Sequence, residues 1–125
     1  VDVSELGSIS MNSQNEVSIS STCTVFAESE VISHLSENAK IEDIVAGIHT
    51  SVAKRVSSLV KRIGVQRNVV MVGGVARNSG IVRAMAREIN TEIIVPDIPQ
   101  LTGALGAALY AFDEAKESQK EVKNI

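Results

Sequence analysis

The sequence predicts an α/β domain in which a short sheet with central parallel strands is packed by helices. The 125-residue chain is 44% hydrophobic but only 2% aromatic, so its core must consist of Val, Ile, Leu, Ala and Met. β-Branched runs of this kind favour parallel strands that are buried on both faces. These runs alternate with helical patterns across short loops, which is typical of a βαβα unit with a right-handed crossover. The length limits the chain to one domain.

Composition excludes several classes of partner. The net charge of −3 gives no electrostatic reason to expect nucleic-acid binding. A single cysteine rules out an intrachain disulfide and favours a cytoplasmic setting. No apolar run approaches the roughly 20 residues that span a bilayer, so no membrane partner is expected. The chain begins with neither a signal-peptide pattern nor an initiator Met, so we expect it to be a piece of a longer protein.

Three segments are predicted along the chain. Residues 1–16 are polar and weakly patterned, and residues 5–8 within them are typical of a loop. Residues 17–116 form one folded subdomain that opens with a short strand at residues 17–20, where apolar and polar residues alternate. Residues 117–125 are a charged tail that we expect to fray.

Two helices are predicted in the first half of the subdomain. Apolar residues recur every three or four positions across residues 24–37 and again from Ile41 to Ile63. The second helix is flanked by acidic residues at its start and basic residues at its end, and Gly64 closes it as a C-cap. Its predicted inward stripe is Ile41, Ile44, Val45, Ile48, Val52, Val56, Leu59, Val60 and Ile63. We therefore expect Ile48→Asp to bury an unpaired charge and to unfold the domain.

The second half is predicted to contain the parallel strands. Residues 69–72 are continuously apolar, as in a central strand covered on both faces, and a pair of glycines follows them. Asn78 is a good N-cap for a helix over residues 79–90. A second strand is predicted at residues 92–95, where Pro96 stops it.

A last helix begins at Thr102. Its small residues, among them Gly103 and Gly106, predict close packing against a neighbouring element. His34 and His49 fall on the earlier helices. We interpret both as surface or partly buried side chains, because no second ligand lies at a metal-binding spacing.

Cys23 is the first candidate for chemistry. It follows a run of small hydroxyl residues and precedes a helical pattern, which places its thiol near a helix N-terminus. The free N–H groups and the dipole there stabilise a thiolate, the form needed for metal ligation or redox chemistry. The alternative is a small buried hydrophobic residue. Spacing alone leaves both interpretations open, because no partner cysteine or nearby histidine completes a metal set.

Gly73 and Gly74 are the second candidate. A strand that runs into two glycines and then a helix brings bare backbone to the carboxyl edge of the sheet, where open α/β sheets bind ligands. The pattern matches neither of the phosphate-binding motifs G-x-x-x-x-G-K-[ST] and G-x-G-x-x-G. A tight turn without a ligand explains the two glycines equally well. No acid–base set stands out, and Asp97 is interpreted as a solvated loop carboxylate.

Several stretches resemble one known family. Residues 20–32 closely resemble the second cluster-cysteine segment of the ATP-dependent activators of 2-hydroxyacyl-CoA dehydratases, such as 2-hydroxyglutaryl-CoA dehydratase. These activators are close relatives of the ATPase subunits of benzoyl-CoA reductase. Residues 44–49, 70–78 and 103–111 resemble the same family, and the resemblance extends over roughly residues 17–115. The glycine-pair segment is shared with the wider actin, Hsp70 and sugar-kinase superfamily, where it is the adenosine-binding turn.

The resemblance implies a fold and a function. Residues 17–116 would form a C-terminal actin-like (ribonuclease H-like) ATPase subdomain, incomplete relative to the full fold. Such activators are homodimers that bind ATP or ADP with Mg²⁺ and share one [4Fe-4S] cluster between subunits. They pass one low-potential electron from a ferredoxin or flavodoxin to an acyl-CoA dehydratase or reductase. By this resemblance Cys23 is a metal ligand, and Gly73, Gly74, Val75 and Asn78 bind the nucleotide; no catalytic residue is assigned.

Departures from the family narrow this expectation. The first cluster cysteine, the N-terminal lobe and both phosphate turns have no counterpart in the sequence. We therefore expect the C-terminal part of an activator, unable by itself to hydrolyse ATP or to hold a stable cluster. One alternative is a kinase-like ATP-binding domain of the actin superfamily without a cluster. Another is a binding or regulatory module that has kept the fold and lost the chemistry.

Overall fold

A computed structural model describes residues 1–20 and 24–123 of the chain. Within these residues, helices and two short strands alternate in the second half of the chain. The elements are α1 (Leu6–Met11), α2 (Thr24–Ser36), α3 (Ile41–Ile63), β1 (Val69–Val70), α4 (Ser79–Ile89), β2 (Ile93–Ile94) and α5 (Thr102–Lys123). Short 3-10 turns cover Val3–Glu5, Gly74–Arg77 and Pro99–Leu101.

The two strands pair in parallel, and α4 is the crossover between them. Val69 lies opposite Ile93 and Val70 opposite Ile94. The Met71 N–H continues the pairing by donating to the Ile94 carbonyl at 2.9 Å. The predicted parallel α/β arrangement is therefore confirmed, although both strands are shorter than the sequence suggested.

The strand predicted at residues 17–20 is wrong. No strand is assigned there, and the Val17 N–H instead donates to the Asp43 carbonyl at 3.2 Å, near the start of α3. Alternation over only four residues is also compatible with an extended segment that lies on a helix. Gly47 permits this approach, because a Cβ at that position would collide with the Val17 carbonyl.

The core lies where α3 and α4 pack on each other and on the sheet. Its central cluster consists of side chains from both helices, with two strand-region side chains against it: Ala53, Ile81, Ala84, Met85, Met71 and Ile93. Of the predicted inward residues of α4, Ile81, Met85 and Ile89 are buried, whereas Val82 is only partly buried. The predicted N-cap is confirmed as well, because the Asn78 Oδ1 accepts a hydrogen bond from the Ile81 N–H at 3.2 Å.

The inward face predicted for α3 is largely wrong. Ile44 and Val45 are buried, but Ile48 is 36% exposed and most of the remaining stripe is more exposed still. The buried face of α3 instead carries mainly small and polar residues: Asp43, Ile44, Val45, Ala46, Gly47, His49, Thr50, Ala53 and Ser57. Short side chains let α1 and α4 approach the helix closely. The expectation that Ile48→Asp unfolds the domain therefore loses its basis.

Six residues of the predicted inward face of α3 are exposed, and we call this set the α3 stripe: Ile41, Ile48, Val52, Val56, Leu59 and Ile63. The sheet also departs from its prediction, because Val70, Val72 and Ile94 are about half exposed within the described part of the chain. The strand region is thus open on one face.

Both ends of the chain differ from expectation. Residues 5–8 were predicted as a loop, but they belong to the Val3–Glu5 turn and to α1, which packs on α3 and α4. At the other end α5 continues into the charged segment as far as Lys123. Side chains at Gly103 or Gly106 would meet nothing within 4 Å among the described residues, so the close packing predicted there is not seen.

Candidate functional site

The turn between β1 and α4 is held by two backbone hydrogen bonds of Gly73. Gly73 has φ +92°, a left-handed conformation that glycine adopts without strain. Its N–H donates to the Pro99 carbonyl at 2.8 Å, and its own carbonyl accepts from the Ala76 N–H at 3.2 Å. The first bond ties the turn to the loop that follows β2, so the two loops at the carboxyl edge of the sheet form one unit.

This turn brings together Gly73, Gly74, Val75 and Asn78. Gly74 and Val75 are exposed, and a Cβ at either glycine would meet nothing within 4 Å among the described residues. The backbone is therefore accessible to a flat ligand. It lies at the carboxyl edge of the parallel pair, where open α/β sheets bind their ligands.

A cavity of ≈ 410 Å³ lies beside the turn. Its lining combines a guanidinium, a carboxylate, an amide and two aliphatic side chains: Arg77, Asp97, Ile98, Gln100 and Leu101. The volume is in the range of small-molecule sites. Arg77 is the residue of the turn that reaches this cavity, and a guanidinium can stack on an aromatic ring. The sequence placed Arg77 in the matching segment without assigning it a role.

Asn78 connects the turn to α3. While its Oδ1 caps α4, its Nδ2 lies 3.1 Å from the His49 Nε2. His49 is only 4% exposed, more buried than the sequence suggested, and burial lowers the pKa of its imidazole. Sequence reasoning did not find this pair, because the two residues are 29 positions apart. The burial of His49 could have been predicted from the small and polar residues around it, which are typical of a closely packed helix face.

The metal prediction rests on Cys23, which lies outside the described residues. Helix α2 begins at Thr24, the residue that follows Cys23 in the sequence. Among the described residues no group of three or more His, Cys, Asp and Glu side chains is placed to hold a metal ion. His34 lies near the Ser18 carbonyl and Glu37 instead. A [4Fe-4S] cluster takes four thiolates, so two copies of this chain, with one cysteine each, do not complete the set.

None of the described helices combines the length and apolarity needed to cross a bilayer.

Comparison with known proteins gives a consistent set of matches. The model of the BadF/BadG/BcrA/BcrD ATPase family matches residues 1–111. The (R)-2-hydroxyglutaryl-CoA dehydratase activating ATPase of Acidaminococcus fermentans is 52% identical over 115 residues, covering 92% of this chain and 44% of the relative. The activator of lactoyl-CoA dehydratase of Anaerotignum propionicum is 50% identical over 113 residues, covering 90% of this chain and 44% of the relative.

A more distant relative and a crystal structure agree. A benzoyl-CoA reductase subunit of Thauera aromatica is 36% identical over 120 residues, covering 90% of this chain and 42% of the relative. The crystal structure of component A of the Acidaminococcus fermentans (R)-2-hydroxyglutaryl-CoA dehydratase superposes with a TM-score of 0.90 at 52% identity. The match covers 93% of this chain and 45% of that structure. The chain thus spans less than half the length of these relatives.

Proposed function

Because the chain belongs to the BadF/BadG/BcrA/BcrD ATPase family, we propose that it is the C-terminal part of an ATP-dependent iron–sulfur activator. The complete protein would couple ATP binding and hydrolysis to the transfer of one electron to an acyl-CoA dehydratase or reductase. Two relatives of about 50% identity are named as activators of such dehydratases, and a third as part of a benzoyl-CoA reductase. The observation that carries the proposal is the exposed glycine turn at the carboxyl edge of β1.

The role proposed for the turn is adenosine binding. Gly73, Gly74 and Val75 would offer bare backbone to the nucleoside, and Asn78 would hold the turn against α4. Mg²⁺ and the phosphates of ATP or ADP would be held by the remainder of the protein, since this chain carries neither phosphate turn of the family. Nucleotide hydrolysis would therefore require both parts.

Uncovered apolar surface supports the division into two parts. The α3 stripe and the open face of the strand region expose apolar side chains that would be buried in a complete domain. The relatives are more than twice as long as this chain, so further protein is available to cover these surfaces. We propose that this covering protein is the remainder of the same polypeptide.

Cys23 is the proposed cluster ligand of this part. A thiolate directly before a helix is stabilised by the dipole and by free N–H groups. Bound iron and sulfide would supply one-electron redox chemistry there. Because the chain contains one cysteine, the remaining thiolates would come from the rest of the polypeptide and from a second subunit. The proposed assembly is a cytoplasmic homodimer that takes its electron from a ferredoxin or flavodoxin.

Substitution of Gly74 tests the nucleotide site. In the full-length protein Gly74→Arg fills the open space over the turn, so we expect ADP affinity to fall by at least about tenfold, more than 1.4 kcal/mol. Calorimetric titration measures this, with Gln66→Arg at an exposed position after α3 as the charge-matched control. Unchanged ADP affinity in Gly74→Arg would overturn the proposed site.

Substitution of Cys23 separates the activator from its kinase-like alternative. In the full-length homodimer Cys23→Ser removes two thiolates, so we expect the iron content after anaerobic reconstitution to collapse and ATP-dependent activation of the dehydratase to be lost. Nucleotide affinity should remain, because the turn is untouched. A Cys23→Ser protein that reconstitutes and activates like the parent would favour an ATP-binding enzyme without a cluster.

A further inference from the structure

His49 and Asn78 form the one side-chain hydrogen bond seen between α3 and the start of α4 within the described part of the chain. The bond lies immediately after the glycine turn and involves a buried imidazole. We propose that neutral His49 is a positioning residue that fixes the Asn78 amide, and thereby the first turn of α4 and the nucleotide turn before it. The nucleotide part of this inference rests on the proposed function.

The direction of the bond follows from the cap. Since the Asn78 Oδ1 accepts from the Ile81 N–H at 3.2 Å, its amide nitrogen is the atom that faces His49. An amide nitrogen only donates, so the His49 Nε2 must present a lone pair. The imidazole is then neutral and carries its proton on Nδ1. A protonated ring would turn an N–H toward the amide N–H₂ and break the bond.

The ring is closely packed against α4. Gly80 makes room for it, because a Cβ there would lie 2.5 Å from the His49 Nδ1 and would also collide with the Ser10 Oγ. The ring is thus held between α1 and α4. The Nδ1 atom is buried without a hydrogen-bond partner in the described part of the chain. Burying an N–H without a hydrogen-bond partner lowers the stability of the fold. An aliphatic side chain at position 49 would avoid this loss, so we attribute the presence of histidine to its Nε2 hydrogen bond.

The surroundings of His49 also favour its neutral form. The cavity of ≈ 180 Å³ that His49 helps to line contains Glu16, Arg83 and Arg87 as its ionisable neighbours. Arg87 donates to Glu16 at 3.3 Å and to Thr50 at 2.7 Å. Helix α1 contributes no ionisable side chain. A positive charge on His49 would therefore be disfavoured by burial.

The tautomer of His49 gives a direct test on the unmodified chain. Nitrogen-15 NMR at neutral pH should show a neutral ring with its proton on Nδ1 and a free lone pair on Nε2. On acidification below the ordinary histidine pKa of about 6.5, the ring should resist protonation. A proton on Nε2 at neutral pH would overturn the inference, since the Asn78 amide would then have no acceptor.

Paired substitutions test the positioning role. His49→Gln can still offer an oxygen to the Asn78 amide, whereas His49→Leu cannot. We expect amide hydrogen exchange at Ile81 to rise about fivefold in His49→Leu, the size of one neutral hydrogen bond, and to stay near the parent value in His49→Gln. In an Asn78→Ala background the two variants should exchange alike. Equal exchange in parent and His49→Leu, or an undiminished effect in the Asn78→Ala background, would overturn the proposal.

Nucleotide affinity then tests the link to the turn. In the full-length protein His49→Leu should weaken ADP binding about fivefold, with recovery in His49→Gln. Unchanged ADP affinity in His49→Leu would restrict His49 to capping α4 and would refute its effect on the turn. If the parent itself does not bind ADP, the proposed function fails, while the exchange and tautomer results still decide the positioning role.

Discussion

Asp43 shows how one carboxylate fastens a loop to a helix. It lies in the first turn of α3, and its Oδ1 accepts from the Ser13 Oγ at 2.7 Å and from the N–H groups of Gln14 and Asn15 at 3.0 and 2.9 Å. The Asn15 N–H, the Ser13 hydroxyl and the Gln14 N–H hold the pKa of Asp43 below its ordinary value of 3.8. The ionised carboxylate therefore stabilises the segment that joins α1 to the rest of the fold.

The pH dependence of stability should reveal this carboxylate. A lowered pKa in the fold contributes stability that is present above the unfolded-state value near 3.8 and is lost as pH falls through the folded value. Asp43→Asn should therefore lower Tm at pH 7 and flatten its decline between about pH 5 and 2. Circular-dichroism melts measure this, with the exposed Asp97→Asn as control. Equal Tm values of parent and Asp43→Asn at pH 7 would contradict the assignment.

At the residue scale, sequence reasoning succeeded where the signal was local. The N-cap role of Asn78 is a property of a few consecutive residues, and it is confirmed. The His49–Asn78 bond depends on how two helices meet, which no short pattern encodes. The nucleotide role of the turn and the metal role of Cys23 stay predictions.

Helix α4 is the element whose packing follows most simply from its sequence. Three of its four large apolar side chains, Ile81, Met85 and Ile89, are buried, so hydrophobic periodicity located most of its inner face. Met85 lies in the central cluster and is 7% exposed. Leu59 of α3 is comparable in size but 55% exposed, which makes it a matched control.

Truncation at these two positions should have very different costs. Met85→Ala leaves a cavity between α4 and its neighbours and should lower the free energy of unfolding by about 2–4 kcal/mol. Leu59→Ala removes a side chain that the chain does not bury and should change it by less than about 0.5 kcal/mol. Urea denaturation of both variants provides the comparison. Similar losses from the two would mean that the exposed face has been assigned incorrectly.

Helices α3 and α1 show why periodicity failed elsewhere. In α3 the face that packs on α1 and α4 is built from small and polar residues around Gly47 and Ala53, so the larger apolar residues mark a different face. In α1 only six residues are helical, and two serines and Gly7 hide any stripe. Gly7 is itself needed there, because a Cβ would lie 2.9 Å from the Ser79 Oγ. Close helix contacts thus use the residues that hydrophobic patterns ignore.

For the whole molecule, the parallel order of the strands was predictable and the open surfaces were not. Alternating strand and helix signals leave few topologies, and the observed β1–α4–β2 unit is the expected one. An apolar pattern shows that a side chain is to be covered but not which polypeptide covers it. The predicted α3 face is correct in that sense only if further protein packs on it.

Charge introduced into the α3 stripe should affect the stability of the full-length protein but not that of the chain alone. We expect Val52→Glu, Val56→Glu and Leu59→Glu together to leave the Tm of the isolated chain nearly unchanged and to reduce its self-association. The same substitutions should destabilise the full-length protein by several kcal/mol, because they bury unpaired charges. Sedimentation velocity and thermal melts measure the two effects. Destabilisation of the isolated chain would show that the stripe is already covered.

The uncovered α3 stripe also makes this chain a candidate half of a split-protein pair. This chain and the remainder of the protein, produced as separate polypeptides, would bury their apolar surfaces by associating without a covalent linker. If a nucleotide binds between the two polypeptides, it stabilises their complex. The apparent affinity of the two polypeptides for each other would then rise with ADP concentration. A fluorescent reporter on each half would then read out nucleotide concentration through reassembly.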